Sequence, residues 1–219
     1  YFGSDPVKAG VLAAAFTKGL QDAGVMACAK HFLGNQTEFY RRRSNSIIDE
    51  RALMEIYTPA FKAAIDAGVA TVMTAYNQLN GEWTGESKYV ITDLLRGTLG
   101  FKGMVMSDWN SIYDWKNVIL SGQNLDMPGE PAHYIKKTPR DLVAEGIVTE
   151  KDIENMIRPT IATCIRWGLY DRYLSGQQYK PELEAKLPDH LEVSYRTAAE
   201  GAVLLKNNGI LPLATDRKV

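Results

Sequence analysis

Apolar and polar positions alternate in two different periods along this chain, and the periods take turns. The first stretch opens with Ser4 or Asp5 as a helix cap and Pro6 in the first turn. Val7, Val11, Leu12, Phe16 and Leu20 then repeat at helical spacing until Gly24. A short apolar run at 25–29 predicts a buried strand that delivers Lys30-His31. A second helix is predicted from Asp49, with Leu53, Ile56, Tyr57, Phe61 and Ile65 on its apolar face and Gly68 at its end. Pro59 lies inside it and should kink it. The next predicted strand, 70–75, leads into Tyr76-Asn77. Ser87 caps a helix carrying Val90, Ile91, Leu94 and Leu95, which stops at Gly100. The run 103–106 predicts another buried strand, with Ser107-Asp108-Trp109 at its end. A weaker strand near Leu125 ends in Asp126-Met127-Pro128-Gly129.

Strands that alternate with helices imply a parallel sheet built from βαβ units. About four strands are predicted, and a full eight-stranded barrel takes ~250 residues. The sheet is therefore an incomplete barrel or an open, doubly wound one. Beyond Asp126 the pattern turns helical. Thr149 and Asp152 have capping-box spacing, and Ile153, Met156, Ile157, Ile161, Cys164 and Ile165 form one long apolar face. The stretch 168–191 is rich in Pro, Gly, Gln and charge and predicts a linker or extended segment. A helix returns near 191–200. The run 202–205 predicts a fresh buried strand, as if a second domain were beginning.

Composition adds little to this picture. The chain has 219 residues, 45% of them hydrophobic and 23% charged, which supports a real core. A net charge of -1 gives no reason to expect a nucleic acid or an anionic membrane as partner. The two cysteines, Cys28 and Cys164, sit in apolar patterns and read as free thiols rather than a disulfide. No apolar run reaches the ~18 residues that span a bilayer. No signal peptide is visible, and an opening at Tyr1 reads as an internal segment of a longer protein.

Chemistry enters at the strand ends, where α/β barrels assemble their active sites. Lys30-His31, Tyr76-Asn77 and Asp108-Trp109 each follow an apolar strand. Together they would aim a cation, an imidazole, a phenol and a carboxylate into one cavity. A carboxylate beside an indole suits sugar chemistry, because the indole face packs on the C–H face of a pyranose. The carboxylate can then act as nucleophile at an oxocarbenium-like centre. Each residue also has a plainer reading. Asp108 could cap the helix that follows it. Arg41, Arg42 and Arg43 could be a solvated basic run paired with Asp49 or Glu50. Tyr76, Met73 and Trp109 could be packing residues, and Asp126 a turn former.

The same residues carry a resemblance to glycoside hydrolase family 3, the β-glucosidase and β-xylosidase family. The matching pieces are Lys30-His31-Phe32-Leu33-Gly34-Asn35 with Glu38 and Arg41, Val72-Met73-Thr74-Ala75-Tyr76-Asn77, and Ser107-Asp108-Trp109. Leu125-Asp126-Met127-Pro128-Gly129 and Lys206-Asn207-Asn208-Gly209-Ile210-Leu211-Pro212-Leu213 extend the match along nearly the whole chain.

The resemblance implies an α/β fold. Residues 1–167 would be the second half of a (β/α)8 barrel, 168–191 a linker, and 192–219 the start of a second α/β domain with its first strand. It implies a retaining, exo-acting enzyme that releases terminal β-linked glucose or xylose, with Asp108 as nucleophile. Lys30, His31 and Arg41 would bind sugar hydroxyls, Tyr76 would lie close to the nucleophile, and Met73 and Trp109 would shape the sugar platform. The family's acid/base glutamate usually comes from the second domain and has no counterpart here. Its aspartate and arginine from earlier barrel strands also fall outside the match. Leu33 and Asn35 replace the proline and second histidine of the β-N-acetylglucosaminidase branch, which argues for the glucosidase or xylosidase branch.

No metal and no cofactor are implied, and the partners are a β-glycoside or oligosaccharide and the rest of the same polypeptide. Homo-oligomerisation is left open. The family favours a periplasmic or secreted location over a cytoplasmic one. Two other readings compete. One is a Schiff-base barrel enzyme using Lys30, which would need an apolar pocket that His31 and Arg41 make too polar. The other is a non-catalytic sugar-binding relic.

Overall fold

The computed structural model describes residues 2–129, 135–176 and 186–214. The chain folds as two compact units, Tyr1–Asp171 and Arg172–Val219.

The first unit is built on four parallel strands. β1 is Cys28–Phe32, β3 is Thr71–Thr74, β6 is Met104–Trp109 and β7 is Leu125–Met127, hydrogen-bonded in that order. Sequential order with parallel pairing follows from a helical crossover between each pair of strands. Helix α1, Pro6–Asp22, precedes β1. A composite helix, Glu50–Asp66, joins β1 to β3; α2 is its first turn, Glu50–Ala52, and α3 its last part, Pro59–Asp66. A wide-wound helix, Tyr89–Thr98, joins β3 to β6, and α4, Trp115–Ser121, joins β6 to β7. A smaller sheet of β2 (Asn45–Ser46), β4 (Gln78–Leu79) and β5 (Glu82–Trp83) forms from the loops beyond the strand ends. Helices α5, Pro139–Ala144, and α6, Glu150–Arg166, follow β7.

Side chains on both sides of β3 and β6 are buried, as a parallel sheet covered by helices requires. Phe32, Val72, Val105, Val90, Ile91, Leu95 and Leu53 form the centre of one core, with Phe32 edge-on to Phe61 at 4.9 Å between centroids. Truncating a fully buried leucine such as Leu95 to alanine costs about 2–5 kcal/mol. Gly103 opens the approach to β6 because nothing larger fits: an added Cβ would stand 2.1 Å from the Ala70 carbonyl oxygen. Gln21 pins α1 to the sheet. Its Nε2 donates to the Gly68 carbonyl (2.9 Å), while its Oε1 accepts from the Ala70 N–H (2.9 Å) and the Ala27 N–H (3.3 Å).

Several expected features are present. Asp5 caps α1 by accepting from the Lys8 N–H at 2.6 Å, Ser87 Oγ accepts from the Val90 N–H, and Thr149 with Asp152 makes a full capping box at α6. Others differ, each for a physical reason. The first strand begins at Cys28 and includes Lys30 and His31, because pairing with β3 continues to Phe32 opposite Thr74. Pro59 does not kink an uninterrupted helix. The chain widens ahead of it, with the Thr58 N–H donating to the Leu53 carbonyl five residues back (2.9 Å), and Pro59 becomes the first residue of α3.

Most of the apolar stripe of α1 is not its packed face. Leu20 packs on the core, but Val7, Val11, Leu12 and Phe16 are exposed, while Gly10 and Thr17 are buried, and at Gly10 the close approach to α3 leaves room only for a small residue. On α6, Ile153 and Met156 pack with Ile119, Leu142 and Val148, but Ile157, Ile161 and Ile165 are exposed.

The expected linker at 168–191 contains helix: α7 is Leu169–Leu174, and α8 is Leu187–Gly201, longer at its start than the sequence suggests. Residues 177–185 of that segment lie outside the described residues. The expected buried strand at 202–205 does not form. Those residues are exposed and have no ladder partner among the described residues, and a strand cannot exist without one.

Candidate active site

Successive parallel strands end on the same side of a sheet, so their last residues are neighbours whatever their distance in sequence. β1 therefore brings His31 to the end of β6, 77 positions along the chain by subtraction, where its Nε2 stands 3.2 Å from Asp108 Oδ2. The other carboxylate oxygen, Oδ1, accepts from the Trp109 N–H at 2.7 Å. Tyr76, just past β3, lies near enough for the Asp108 charge to act on its phenol. Asp108 is only 7% exposed, so a buried carboxylate meets groups from three strands.

The plainer reading of Asp108 as a helix cap does not hold. Helix α4 begins only at Trp115 and is capped by Asp114, whose side chain accepts from the Lys116 N–H at 2.9 Å. Glu86 steadies the connecting segment. Its Oε1 accepts from the backbone N–H groups of Tyr113 and Asp114. Burial pushes the Glu86 carboxyl above its ordinary range, partly opposed by those two hydrogen bonds.

Burial lowers the His31 pKa from its usual value. The Asp108 charge works in the opposite direction, and Lys30 and Arg41 reinforce the lowering. Burial likewise raises Tyr76, followed by the neighbouring charge of Asp108. At neutral pH the phenol therefore stays a donor.

The arginine run divides into distinct environments. Arg41 pairs with Glu38 (2.8 Å) and lies over the Tyr76 ring, 4.5 Å from its centroid. Arg42 also lies over that ring at 4.4 Å, and its Nη2 donates to Tyr76 Oη (3.2 Å) and to the Trp109 carbonyl (3.1 Å). Neither pairs with Asp49 or Glu50 in the way a solvated basic run would. Asp49 instead caps the composite helix, accepting from the Ala52 N–H.

Met73 pairs in register with Met106 beside the site and is half-buried, while Trp109 is 55% exposed on the rim. Lys30 is exposed, not enclosed in the apolar pocket that a Schiff-base lysine needs. Asp126, on the neighbouring β7, accepts from Ser107 Oγ (3.3 Å), which in turn accepts from the Met127 N–H (2.8 Å).

Sequence reasoning thus placed Lys30, His31, Tyr76, Asp108, Arg41, Met73 and Trp109 in one neighbourhood, of which the exposed Lys30 forms the border. It missed Arg42 and Glu86. Arg42 was visible only as one of three adjacent arginines, and Glu86 carried no signal at all. A cavity of about 650 Å³ beside the β1 edge meets this group only at Lys30 and His31; its other walls come largely from α1 and the composite helix. Among the described residues, no three His, Cys, Asp or Glu side chains converge as a metal site. Nor is any described helix long and apolar enough to cross a membrane.

Known proteins resemble this chain over nearly all its length. Residues 1–158 match the glycosyl hydrolase family 3 N terminal domain. A beta-glucosidase of Rhizobium radiobacter is 37% identical over 214 residues, covering 97% of this chain and 26% of the relative. A protein named probable beta-glucosidase L in Emericella nidulans is 35% identical, covering 97% of this chain and 30% of that one. Among solved structures, beta-glucosidase 3B from Thermotoga neapolitana in complex with glycerol superposes with a TM-score of 0.82 at 34% identity. The superposition covers 98% of this chain and 30% of that one. The same protein in complex with glucose gives a TM-score of 0.79. The chain therefore spans 26 to 30% of the length of these relatives.

Proposed function

Because the chain belongs to glycosyl hydrolase family 3, we propose that it supplies the nucleophile half of a retaining β-glucosidase. In the full-length protein, residues up to about the end of α6 would form the second half of a (β/α)8 barrel, its remaining strands pairing beyond the β1 and β7 edges. The observation that carries the reading is Asp108: a nearly buried carboxylate at a parallel strand end, facing an imidazole at 3.2 Å and a phenol, and capping no helix.

A retaining mechanism needs an ionised carboxylate on one side of the anomeric carbon and an acid about 5–5.5 Å from it on the other. Asp108 attacks the anomeric carbon as the glycosidic oxygen leaves, forming a glycosyl ester. Water then cleaves that ester, and the anomeric configuration is restored. Asp108 Oδ1 already accepts from the Trp109 N–H and Oδ2 stands 3.2 Å from His31 Nε2, so the carboxylate is held before substrate arrives. Neutral His31 adds no full charge beside it. Lys30 and Arg41 stand where sugar hydroxyls would bind, Tyr76 lies beside the nucleophile, and Trp109 and Met73 offer surfaces for the pyranose C–H face.

The acid/base group would come from a part of the full-length protein outside this sequence. The substrate class is a terminal β-linked glucose, with xylose as the second choice. The exposed Lys30 weighs against Schiff-base chemistry.

The test is stereochemical. Full-length protein is given an aryl β-glucoside, and the first-formed sugar is followed by proton NMR before mutarotation. The β-anomer is expected. An α-anomer as first product would mean inversion and would remove Asp108 from the nucleophile role.

A further inference from the structure

We propose that Arg42 is a positioning residue of this site, fixing the Tyr76 hydroxyl beside Asp108 and holding the backbone of Trp109. The proposal rests on the reading of Asp108 as nucleophile.

The argument begins with what a phenol can do. Tyr76 has one O–H to donate and lone pairs with which to accept. Arg42 Nη2 donates to Tyr76 Oη at 3.2 Å, and a guanidinium has no acceptor, so the phenol proton cannot point towards Arg42. It must point elsewhere, and the neighbouring charge is that of Asp108. Donation into Oη also polarises the O–H outward, strengthening any hydrogen bond the phenol then makes. With Arg42 absent, the hydroxyl would lose the partner that fixes it beside Asp108.

The same guanidinium acts at a second point. Its Nη2 also donates to the Trp109 carbonyl at 3.1 Å, and Nη1 reaches the Asn110 carbonyl at 3.5 Å. These groups directly follow the nucleophile, and the Trp109 N–H is the one that binds Asp108 Oδ1. Arg42 therefore ties the β1–β2 loop to the end of β6 and contacts both the phenol and the residue whose N–H holds the carboxylate. The guanidinium over the ring, 4.4 Å from its centroid, adds a cation–π contact that keeps the two groups in register. A lysine could supply the charge but not the planar fork that bridges hydroxyl and carbonyl. Arg43, next in sequence and exposed, serves as the internal control.

Five variants of the full-length protein test this: Arg42→Ala, Arg42→Lys, Arg43→Ala, Tyr76→Phe and the Arg42→Ala/Tyr76→Phe double variant. They are assayed on an aryl β-glucoside beside Asp108→Asn, with thermal melts to establish that each is folded at the assay temperature. Arg42→Ala should lower kcat by ~10- to 100-fold, the scale of a small misplacement of reacting groups, with KM changed far less. Arg42→Lys should fall in between, and Arg43→Ala should match the parent. In the Tyr76→Phe background the Arg42→Ala penalty should shrink by at least ~3-fold, because the two act through one oxygen. A merely structural role would leave the two penalties independent.

If Asp108→Asn is inactive while Arg42→Ala keeps the parental kcat, or if the penalties multiply without coupling, the inference about Arg42 fails and the proposed function stands. If Asp108→Asn retains full turnover, the functional reading itself fails. Should Arg42→Ala not fold, Arg42→Lys and its coupling to Tyr76→Phe decide alone: parental kcat or independent penalties overturn the proposal.

Discussion

His31 and Asp108 sit 3.2 Å apart, and what their contact does depends on protonation. Burial holds the imidazole below its usual 6.5 despite the neighbouring carboxylate, so the folded state binds that proton less readily than the unfolded chain. A proton is then taken up on unfolding between the folded pKa and 6.5, and stability from this group rises with pH through that window. It is fully present above 6.5 and lost as pH falls through the window. A histidine-selective NMR titration of folded protein should place the His31 midpoint below 6.5; a midpoint above it would mean that Asp108, not burial, dominates.

Hydrogen bonds from charged or strongly polar donors to a reacting sugar are worth about 1.5–3 kcal/mol each. On that scale His31→Ala and Arg41→Ala in the full-length protein should each lower kcat/KM by about 10- to 150-fold. Parental kcat/KM in both variants would put these two residues outside the working site. His31, Tyr76 and Asp108 were legible in the sequence because each follows or ends an apolar run, and strand order did the rest. Arg42 was not legible, because its contacts reach 34 and 67 positions along the chain and depend on how one loop turns.

The strands and helices are specified by devices that single substitutions can probe. Gly103 permits β6 to lie against the Ala70 carbonyl, and a methyl group there would collide with backbone, not with a side chain able to move. Gly103→Ala should therefore destabilise by about 1–3 kcal/mol or more, read as a drop in the urea midpoint. An unchanged midpoint would mean that β3 and β6 can separate without cost. At α6 the Thr149–Asp152 box holds the Asp152 carboxyl below its ordinary range through its bonds to the Thr149 side chain and backbone. A depressed carboxylate contributes stability above its unfolded pKa and loses it as pH falls through the folded one. Asp152→Ala should thus lower the melting temperature at neutral pH and do so less at strongly acidic pH.

Caps of this kind are visible in sequence because they are local. The exposure of Val7, Val11 and Phe16 was not visible, because periodicity reports which face is apolar and not which face meets a neighbour. α1 packs through Gly10, Ala13 and Leu20, and at Gly10 small size matters more than hydrophobicity. The run 202–205 fails as a strand for a related reason: its residue types fit a sheet, but pairing is a long-range property.

At the scale of the whole molecule, four parallel strands and 26 to 30% of the relatives' length set what this chain can do by itself. On the proposed reading the chain holds the nucleophile and its supports, while a retaining reaction also needs an acid on the opposite face of the sugar. The isolated 219-residue polypeptide should therefore hydrolyse aryl β-glucosides far below the ~10 s⁻¹ typical of enzymes, whereas turnover near that rate would show a complete site within it. The fold class was readable because alternating helices and short apolar strands admit few arrangements. The central claim is narrower: Asp108 is the group that bonds to sugar. The most direct measurement is to inactivate the full-length protein with a 2-fluoro β-glucoside, digest it and map the modified peptide by mass spectrometry. The account predicts a glycosyl ester on Asp108, and a label on Asp126, Asp93 or a residue outside this sequence would contradict it.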